Sequence, residues 1–407
     1  MISKTLLKDY ANLIAEKGVN VQKGQDVLLY CSVEQPEFAK MVSEALYKRG
    51  ARKVFVDFYY QPIDLLDYKK RSLKALSELE SFEVERFRWR EKKLPARIYI
   101  ISDDPFGMAG APNEKINRSE QAIYPVIKPF IKAAENKHQW CIASVAGKKW
   151  AKRVFPELSS AKAVDALWNA ILSVSLVDGS ASANWDKHNA DIRSHCDRLN
   201  SLKIKKLRYT SSNGTDFTVW LNEHGKFHGG ADTTIGGVTY NPNIPSYEVF
   251  TSPIAGKCEG KVVSTKPLSY LCQLIENIEV TFKDGKVVKA VATKNEELLN
   301  QIVKMDECSC MLGEVALVPF DNPINNSGRI YYETLIDENA CCHLALGAGF
   351  PETLEGFEKM SPDEIRAAGV NDSMIHVDFM IGSRDLKIVA ETFDGKEVLI
   401  FENGNWA

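Results

Sequence analysis

Residues 26–58, DVLLYCSVEQPEFAKMVSEALYKRGARKVFVDF, decide the fold of the first half of this chain. The stretch begins with an apolar run at 26–32, continues with helical periodicity over 37–51 and ends with a second apolar run at 53–58. Gly50 stands where the helix is expected to end. A strand, a helix and a second strand in this order predict a parallel α/β arrangement.

Further runs of the same kind follow. ARIYIIS (96–102) and QWCIASV (139–145) have the composition of buried strands, and the helical stretch YPVIKPFIKAAEN (124–136) lies between them. Strands that are apolar throughout are typical of a mostly parallel sheet covered on both faces. We therefore predict an α/β N-terminal domain over residues 1–200 that serves as a scaffold.

The pattern becomes β-rich after about residue 200. Asn-Gly or Asp-Gly turn signals at 213, 284 and 394 separate alternating runs, and DLKIVAETFDGKEVLIFENG (385–404) is typical of a hairpin. Residues 201–407 are therefore predicted to form a β-rich, mixed α+β C-terminal domain.

The composition excludes several classes of protein. The 407 residues include 51 Lys and Arg against 54 Asp and Glu, and this net charge of -3 gives no reason to expect nucleic acid or an anionic membrane as a partner. No apolar run reaches the roughly 18 residues of a membrane-spanning helix, and no secretory signal is recognisable. Nine scattered cysteines indicate reduced thiols, so we expect a cytoplasmic protein.

The densely charged segment 69–93 is predicted to be helical. Acidic residues are interleaved with the basic ones, which favours a surface helix or a subunit contact over a helix that binds nucleic acid.

Three stretches of the second half contain candidate metal ligands. In IHVDFMIG (375–382), His376 and Asp378 are two residues apart on a predicted strand, so both side chains project from the same face. Glu314 lies in the apolar run SCMLGEVALVPF (309–320), and Glu248 lies in NPNIPSYEVFTSP (241–253). For each of the three stretches, a polar side chain that faces water is the simpler alternative.

The stretch DENACCHLALG (337–347) brings Glu338 and His343 close to the adjacent Cys341 and Cys342. It is compatible with a metal site, with a thiol nucleophile and its base, or with a well-packed loop. Together the four stretches supply four carboxylates and two imidazoles, whose charge would balance two divalent cations in a hydrolytic site.

Several of these motifs resemble those of the M29 family of metallo-aminopeptidases, the aminopeptidase S and aminopeptidase T group. The likeness runs nearly end to end and is most specific in GEVALV, LIDENACCHLALG and GVNDSMIHVDFMIGS. It implies that the C-terminal half holds two divalent metal ions, zinc, cobalt, manganese or magnesium. The implied ligands are Glu248, Glu314, Glu338, His343, His376 and Asp378. Glu314 or Glu338 is expected to relay a proton.

The resemblance also implies a function: removal of N-terminal residues from peptides with a free N-terminus, by a homodimer. Two positions depart from the family pattern. Phe350 occupies a position where a tyrosine thought to assist catalysis is usual, and Tyr247 replaces a smaller residue. The Phe350 departure keeps open a metal-binding paralogue with weak or no peptidase activity. An iron-dependent ring-opening dioxygenase of similar fold also stays open, because some such enzymes resemble this family.

Overall fold

The computed structural model describes residues 2–407. Up to residue 202 it contains α1 (Lys4–Leu13), β1 (Asp26–Ser32), α2 (Pro36–Lys48), β2 (Lys53–Tyr59), α3 (Gln61–Lys70), α4 (Leu73–Leu76), α5 (Ser81–Lys93), β3 (Ala96–Ile101), α6 (Asn113–Ala134), β4 (Trp140–Ser144), α7 (Lys148–Val154), α8 (Ser160–Val174) and α9 (Ala181–Leu202).

The rest of the chain is dominated by strands. It contains β5 (Ile204–Thr210), β6 (Asp216–Leu221), β7 (Asp232–Thr233), β8 (Thr239–Tyr240), β9 (Asn243–Ile244), β10 (Val249–Thr251), β11 (Pro253–Val263), β12 (Leu268–Tyr270), β13 (Gln273–Ile275), β14 (Glu279–Lys283), β15 (Lys286–Val291), α10 (Glu296–Val303), β16 (Leu312–Leu317), α11 (Pro323–Asn326), α12 (Thr334–Asp337), β17 (His343–Gly347), α13 (Pro362–Ala367), β18 (His376–Met380), β19 (Lys387–Thr392), β20 (Glu397–Glu402) and β21 (Asn405–Trp406).

The chain folds into two compact units. The first consists of the residues up to Lys187 together with the later segment Ala231–Pro245. The second consists of His188–Gly230 and Ser246–Ala407. The assignment of a scaffold role and a catalytic role to two domains that meet at residue 200 stays a prediction.

The first unit is built on a five-stranded sheet with the order β2-β1-β3-β4-β9. Every neighbouring pair in it is parallel. The four strands predicted in the first half are therefore confirmed. β9 was not predicted, since a strand of two residues leaves no periodic signal in the sequence.

The charged segment 69–93 is helical, but it is not one helix. α3 ends at Lys70, α4 begins after Ser72, whose Oγ accepts a hydrogen bond from Ala75 N at 3.1 Å, and α5 follows. Caps of this kind satisfy the unpaired N–H groups of a helix start, so they favour new helices here. α4 and α5 bury none of their residues, as expected for surface helices.

The second unit contains an eight-stranded sheet, in the order β15-β14-β11-β6-β5-β19-β20-β21, and a four-stranded sheet, in the order β10-β16-β17-β18. Both sheets are antiparallel between neighbours. The turn signals at 213, 284 and 394 all connect paired strands, which confirms the predicted β-rich class of this half.

One face of the four-stranded sheet belongs to the core. Val315, Leu344 and Phe379 are buried there, together with Leu207 and Val280 of the eight-stranded sheet. Because side chains alternate along a strand, the residues between them project from the opposite face. That face is free to carry polar groups.

Candidate metal centre

The opposite face of the four-stranded sheet collects the predicted polar residues. Glu314 pairs with Ala345, and Ala345 pairs with Asp378, so the three lie in one row across β16, β17 and β18. His343 and His376 occupy the same face, because each is two residues from a member of this row on its own strand. Alternation on three neighbouring strands thus brings together residues that are 64 positions apart in the sequence.

Glu248 joins this group from the residue just before β10. Its Oε2 lies 3.1 Å from His343 Nε2, and His343 Nε2 lies 3.9 Å from Asp378 Oδ1. On the other side, His376 Nε2 lies 3.0 Å from Glu314 Oε2 and 3.4 Å from Asp378 Oδ1. Asp378 Oδ1 therefore faces both imidazoles.

Both histidines present Nε2 to the carboxylates. The Nδ1 atom of His343 lies 3.3 Å from Cys341 O, and that of His376 lies 2.8 Å from Ala348 O. A carbonyl oxygen only accepts, so each Nδ1–H donates and each Nε2 is left to bind a proton or a cation. A backbone carbonyl that fixes the tautomer in this way is typical of metal-binding histidines.

Five of the six predicted ligands fall into two groups whose ligand atoms lie within 4.8 Å of one another. The first group, triad 1, is Glu248, Glu314 and His343; the second, triad 2, is Glu314, His376 and Asp378. Glu314 belongs to both. Glu338 lies outside both triads on a 3₁₀ turn, although its carboxyl group interacts electrostatically with Asp378 and Glu248.

Burial of the carboxylates is costly without a compensating charge. Glu314 is 4% exposed, so the alternative in which it faces water is excluded. Burial raises the pKa of Glu314 to about 7, against the opposing effect of His376. Burial, and then the charges of Asp378 and Glu248, raise the pKa of Glu338 well above its ordinary value.

The pKa values of the two imidazoles are raised as well, although burial alone would lower them. Burial disfavours the charged form of His343, but the carboxylate of Glu248 raises its pKa well above the ordinary value. The same competition, with Asp378 as the largest opposing charge, raises the pKa of His376. The site attracts positive charge strongly enough to overcome desolvation.

The donor set fits divalent cations. Carboxylate oxygens and imidazole Nε2 atoms are ligands that zinc, cobalt and manganese accept. Asp378 Oδ1 is buried and accepts no hydrogen bond, which leaves an anionic atom unsatisfied in the middle of the site. A cation would satisfy it.

The thiol alternative is not supported by the surroundings of the cysteines. Cys341 and Cys342 are 0% and 1% exposed, and burial raises the pKa of both thiols. The nucleophilic thiolate is therefore disfavoured. The Sγ of Cys342 contacts Val318 N and O at 3.4 Å, which is a packing role.

The two departures from the family pattern lie near the site. The Phe350 ring packs against His376 with ring centroids 4.9 Å apart, and against Phe250 at 5.2 Å. Tyr247 precedes Glu248, and its ring contacts that of His188 at 4.8 Å.

Sequence reasoning assigned no role to two buried polar residues beside Glu338. Asp337 accepts a hydrogen bond from Tyr331 N at 2.8 Å, and burial raises its pKa to about 7. Asn339 is fully buried and contacts both Tyr247 and Glu338. An amide directly after a predicted ligand, and directly before the apolar residues 340–342, was the available signal.

A family model described as thermophilic metalloprotease (M29) matches residues 3–406. The chain belongs to the M29 family of metalloproteases. Its similarity to aminopeptidase PepS of Streptococcus thermophilus is 37% identity over 406 residues, covering 99% of this chain and 98% of the relative. The resemblance inferred from the motifs is thus confirmed, as is the expectation of an enzyme of the metallo-aminopeptidase class.

Solved structures agree with this assignment. Wild-type AmpT from Thermus thermophilus superposes with a TM-score of 0.89 at 34% identity, covering 99% of both chains. The 2,5-dihydroxypyridine dioxygenase of Pseudomonas putida KT2440 superposes with a TM-score of 0.51 at 11% identity, covering 100% of this chain and 98% of that one. At that identity, the second likeness shows a shared fold alone.

The helices of the structure can be compared with the length and the apolar character that a membrane-spanning helix needs. Among residues 2–407, none of the helices combines the length and the apolar character needed to cross a bilayer.

Proposed function

We propose that this M29 member hydrolyses the first peptide bond of peptides with a free N-terminus, using two divalent cations. The observation that carries the proposal is the membership of Glu314 in both triads. A carboxylate shared by two ligand groups is the arrangement expected where two cations lie close enough to act on one substrate.

The proposed ligands are the five residues of the two triads, with Glu338 as the sixth. When bound, the two cations would lower the pKa of a shared water and polarise the peptide carbonyl. The chain's own contribution is to hold the imidazole Nε2 atoms and the carboxylates in place through the sheet and the two Nδ1–carbonyl hydrogen bonds.

Proton transfer is assigned to Glu338 in preference to Glu314. Glu314 belongs to both triads, whereas Glu338 lies outside them, so a carboxylate oxygen of Glu338 that binds no cation is available to take a proton from water. In the metal-free chain, burial and the charges of Asp378 and Glu248 raise the pKa of Glu338, and a proton taken up by its carboxylate can pass to the leaving amine. A buried carboxylate of the same group would receive the α-amino group of the substrate, which limits cleavage to the first bond.

The test is release of free amino acids from short peptides by metal-stripped protein resupplied with cobalt, zinc or manganese. We expect metal to restore release, and Glu314→Gln and His343→Ala to abolish it. Matched controls are Glu355→Gln and His224→Ala, which change the same residue types in the second unit outside the triads. Equal losses in the controls would contradict the assignment.

Measuring the bound metal and the consumption of oxygen alongside peptide hydrolysis separates the alternatives. Two bound cations without release from any peptide would favour the metal-binding paralogue with weak or no peptidase activity. Bound iron with oxygen consumption on a dihydroxylated ring would favour the dioxygenase, whose fold this chain shares.

The compartment and the assembly belong to the same proposal. All nine cysteines are free thiols, which supports a reducing, cytoplasmic environment. The homodimer rests on the family resemblance, and light scattering of the purified protein is its test.

A further inference from the structure

Asn339 connects two segments that carry predicted site residues. Its Oδ1 accepts a hydrogen bond from Tyr247 N at 2.6 Å, directly before Glu248. Its Nδ2 donates to Leu335 O at 3.1 Å and, at 3.5 Å, to Oε1 of Glu338. One buried side chain thus contacts the backbone beside a triad 1 ligand and the carboxylate of the proposed proton relay.

An amide is the group that this position requires. Tyr247 N–H lies outside the β10 ladder and needs an acceptor, while Glu338 Oε1 and Leu335 O need donors. The amide of asparagine offers both functions, whereas a carboxylate offers acceptors only. A carboxylate at position 339 would also add negative charge to a site that already holds four acidic residues.

A second asparagine, Asn200, joins two segments by hydrogen bonds away from the predicted metal ligands. Asn200 makes a comparable two-way bridge, since Oδ1 accepts from Phe227 N at 2.7 Å and Nδ2 donates to Phe227 O at 3.1 Å. Its hydrogen bonds reach backbone atoms alone, and it belongs to neither triad. Asn200 therefore provides a control for loss of an asparagine bridge as such.

We propose that Asn339 is a positioning residue that sets Glu248 and Glu338 in their places for metal binding and proton transfer. The inference rests on the proposed two-metal function and goes beyond it, because it names a residue that acts through two others. Partners that orient ligands from behind typically change metal affinity 10- to 100-fold when they are removed.

The test measures cobalt binding by visible absorption of metal-stripped full-length protein, independently of turnover. We expect Asn339→Asp, which keeps the acceptor for Tyr247 N–H but loses the donors, to weaken cobalt binding about 10- to 100-fold. Asn339→Ala removes both contacts and is expected to weaken it at least as much. Asn200→Asp is expected to change it less than about threefold, in keeping with substitutions away from the ligands.

A double-mutant cycle with Glu338→Gln tests the route of the effect. If Asn339 acts through Glu338, Asn339→Asp adds little to the loss of kcat already caused by Glu338→Gln. Full additivity, or cobalt affinity that is unchanged or tighter in the Asn339 variants, would overturn the inference. Failure of the wild-type chain to bind cobalt would instead overturn the proposed function, so the two failures are distinguishable.

Discussion

Phe350 occupies a position where the family resemblance predicts a tyrosine. Its ring lies against His376, so a hydroxyl added to the ring would extend from a position beside triad 2. Since loss of one hydrogen-bond donor to a developing oxyanion costs on the order of 10² to 10³ in kcat, we expect Phe350→Tyr to raise kcat by about tenfold or more. Steady-state kinetics on a peptide panel measures it, and Phe250→Tyr, on the neighbouring ring, is the control. A raised KM with unchanged kcat would contradict the prediction.

His138 is expected to make the stability of the protein depend on pH. Burial, followed by the charge of Arg97, lowers its pKa from 6.5 to about 4, and its Nδ1–H donates to Ala134 O at 3.0 Å. The unfolded chain therefore binds a proton between pH 6.5 and 4 that the folded chain does not, and stability falls as the pH falls through this window. The lowered pKa corresponds to a loss of about 3 kcal/mol when the window has been crossed.

Urea denaturation at pH 7 and pH 5 measures this effect. His138→Gln keeps a donor for Ala134 O without a titrating ring, so it is expected to lose less stability than the wild type over the same interval. An equal loss in both proteins would assign the pH dependence to other groups.

At the scale of single elements, β17 separates two carboxylates with a small residue. Ala345 lies between Glu314 and Asp378 in the row across the sheet, on the face that carries the ligands. Ala345→Val is expected to displace at least one cation, because the added methyl groups enter the space between the two carboxylates. Metal stoichiometry by elemental analysis is the measurement.

Ala390 of β19 is the matched control for this substitution. It is equally buried but faces the hydrophobic core of the second unit, so Ala390→Val adds the same volume away from the ligands. Overpacking costs about 1–3 kcal/mol in either place. Metal loss in both variants would mean that general strain causes it, and not the position of Ala345 between Glu314 and Asp378.

The spacing of apolar and polar residues along the sequence predicted several strands correctly. The four parallel strands of the first half and the strand His376–Met380 follow from apolar runs and alternation, and the shared face of His376 and Asp378 follows from their spacing. Sequence could not show that Glu314 and His343 share that face, because pairing between distant strands is a property of register. The two-residue pairing of β9 and the helix caps within 69–93 leave no trace in the periodicity of the sequence.

At the scale of the whole molecule, cation binding is expected to stabilise the fold. The metal-free site holds four acidic residues close together, and Glu248, Glu314 and Asp378 among them are buried. A ligand that binds only the folded state stabilises it by about 2.7 kcal/mol at a hundredfold excess over its Kd. Thermal unfolding with and without cobalt is expected to show a higher Tm in the loaded protein. The combined variant Glu314→Gln, His343→Ala is expected to lose this shift, and an equal shift there would place the stabilising cation elsewhere.

The return of the chain to the first sheet at Asn243–Ile244 has a consequence for how this gene can be recombined. The first unit is formed by two separate segments of the chain. Residues 231–245 belong to it, whereas the intervening residues 188–230 belong to the second unit. A crossover near codon 200 would therefore transfer a parallel sheet without its last strand, β9. Exchange of whole units between relatives requires two further junctions, one on each side of 231–245. The second of them is separated from the codon of Glu248 by only two codons.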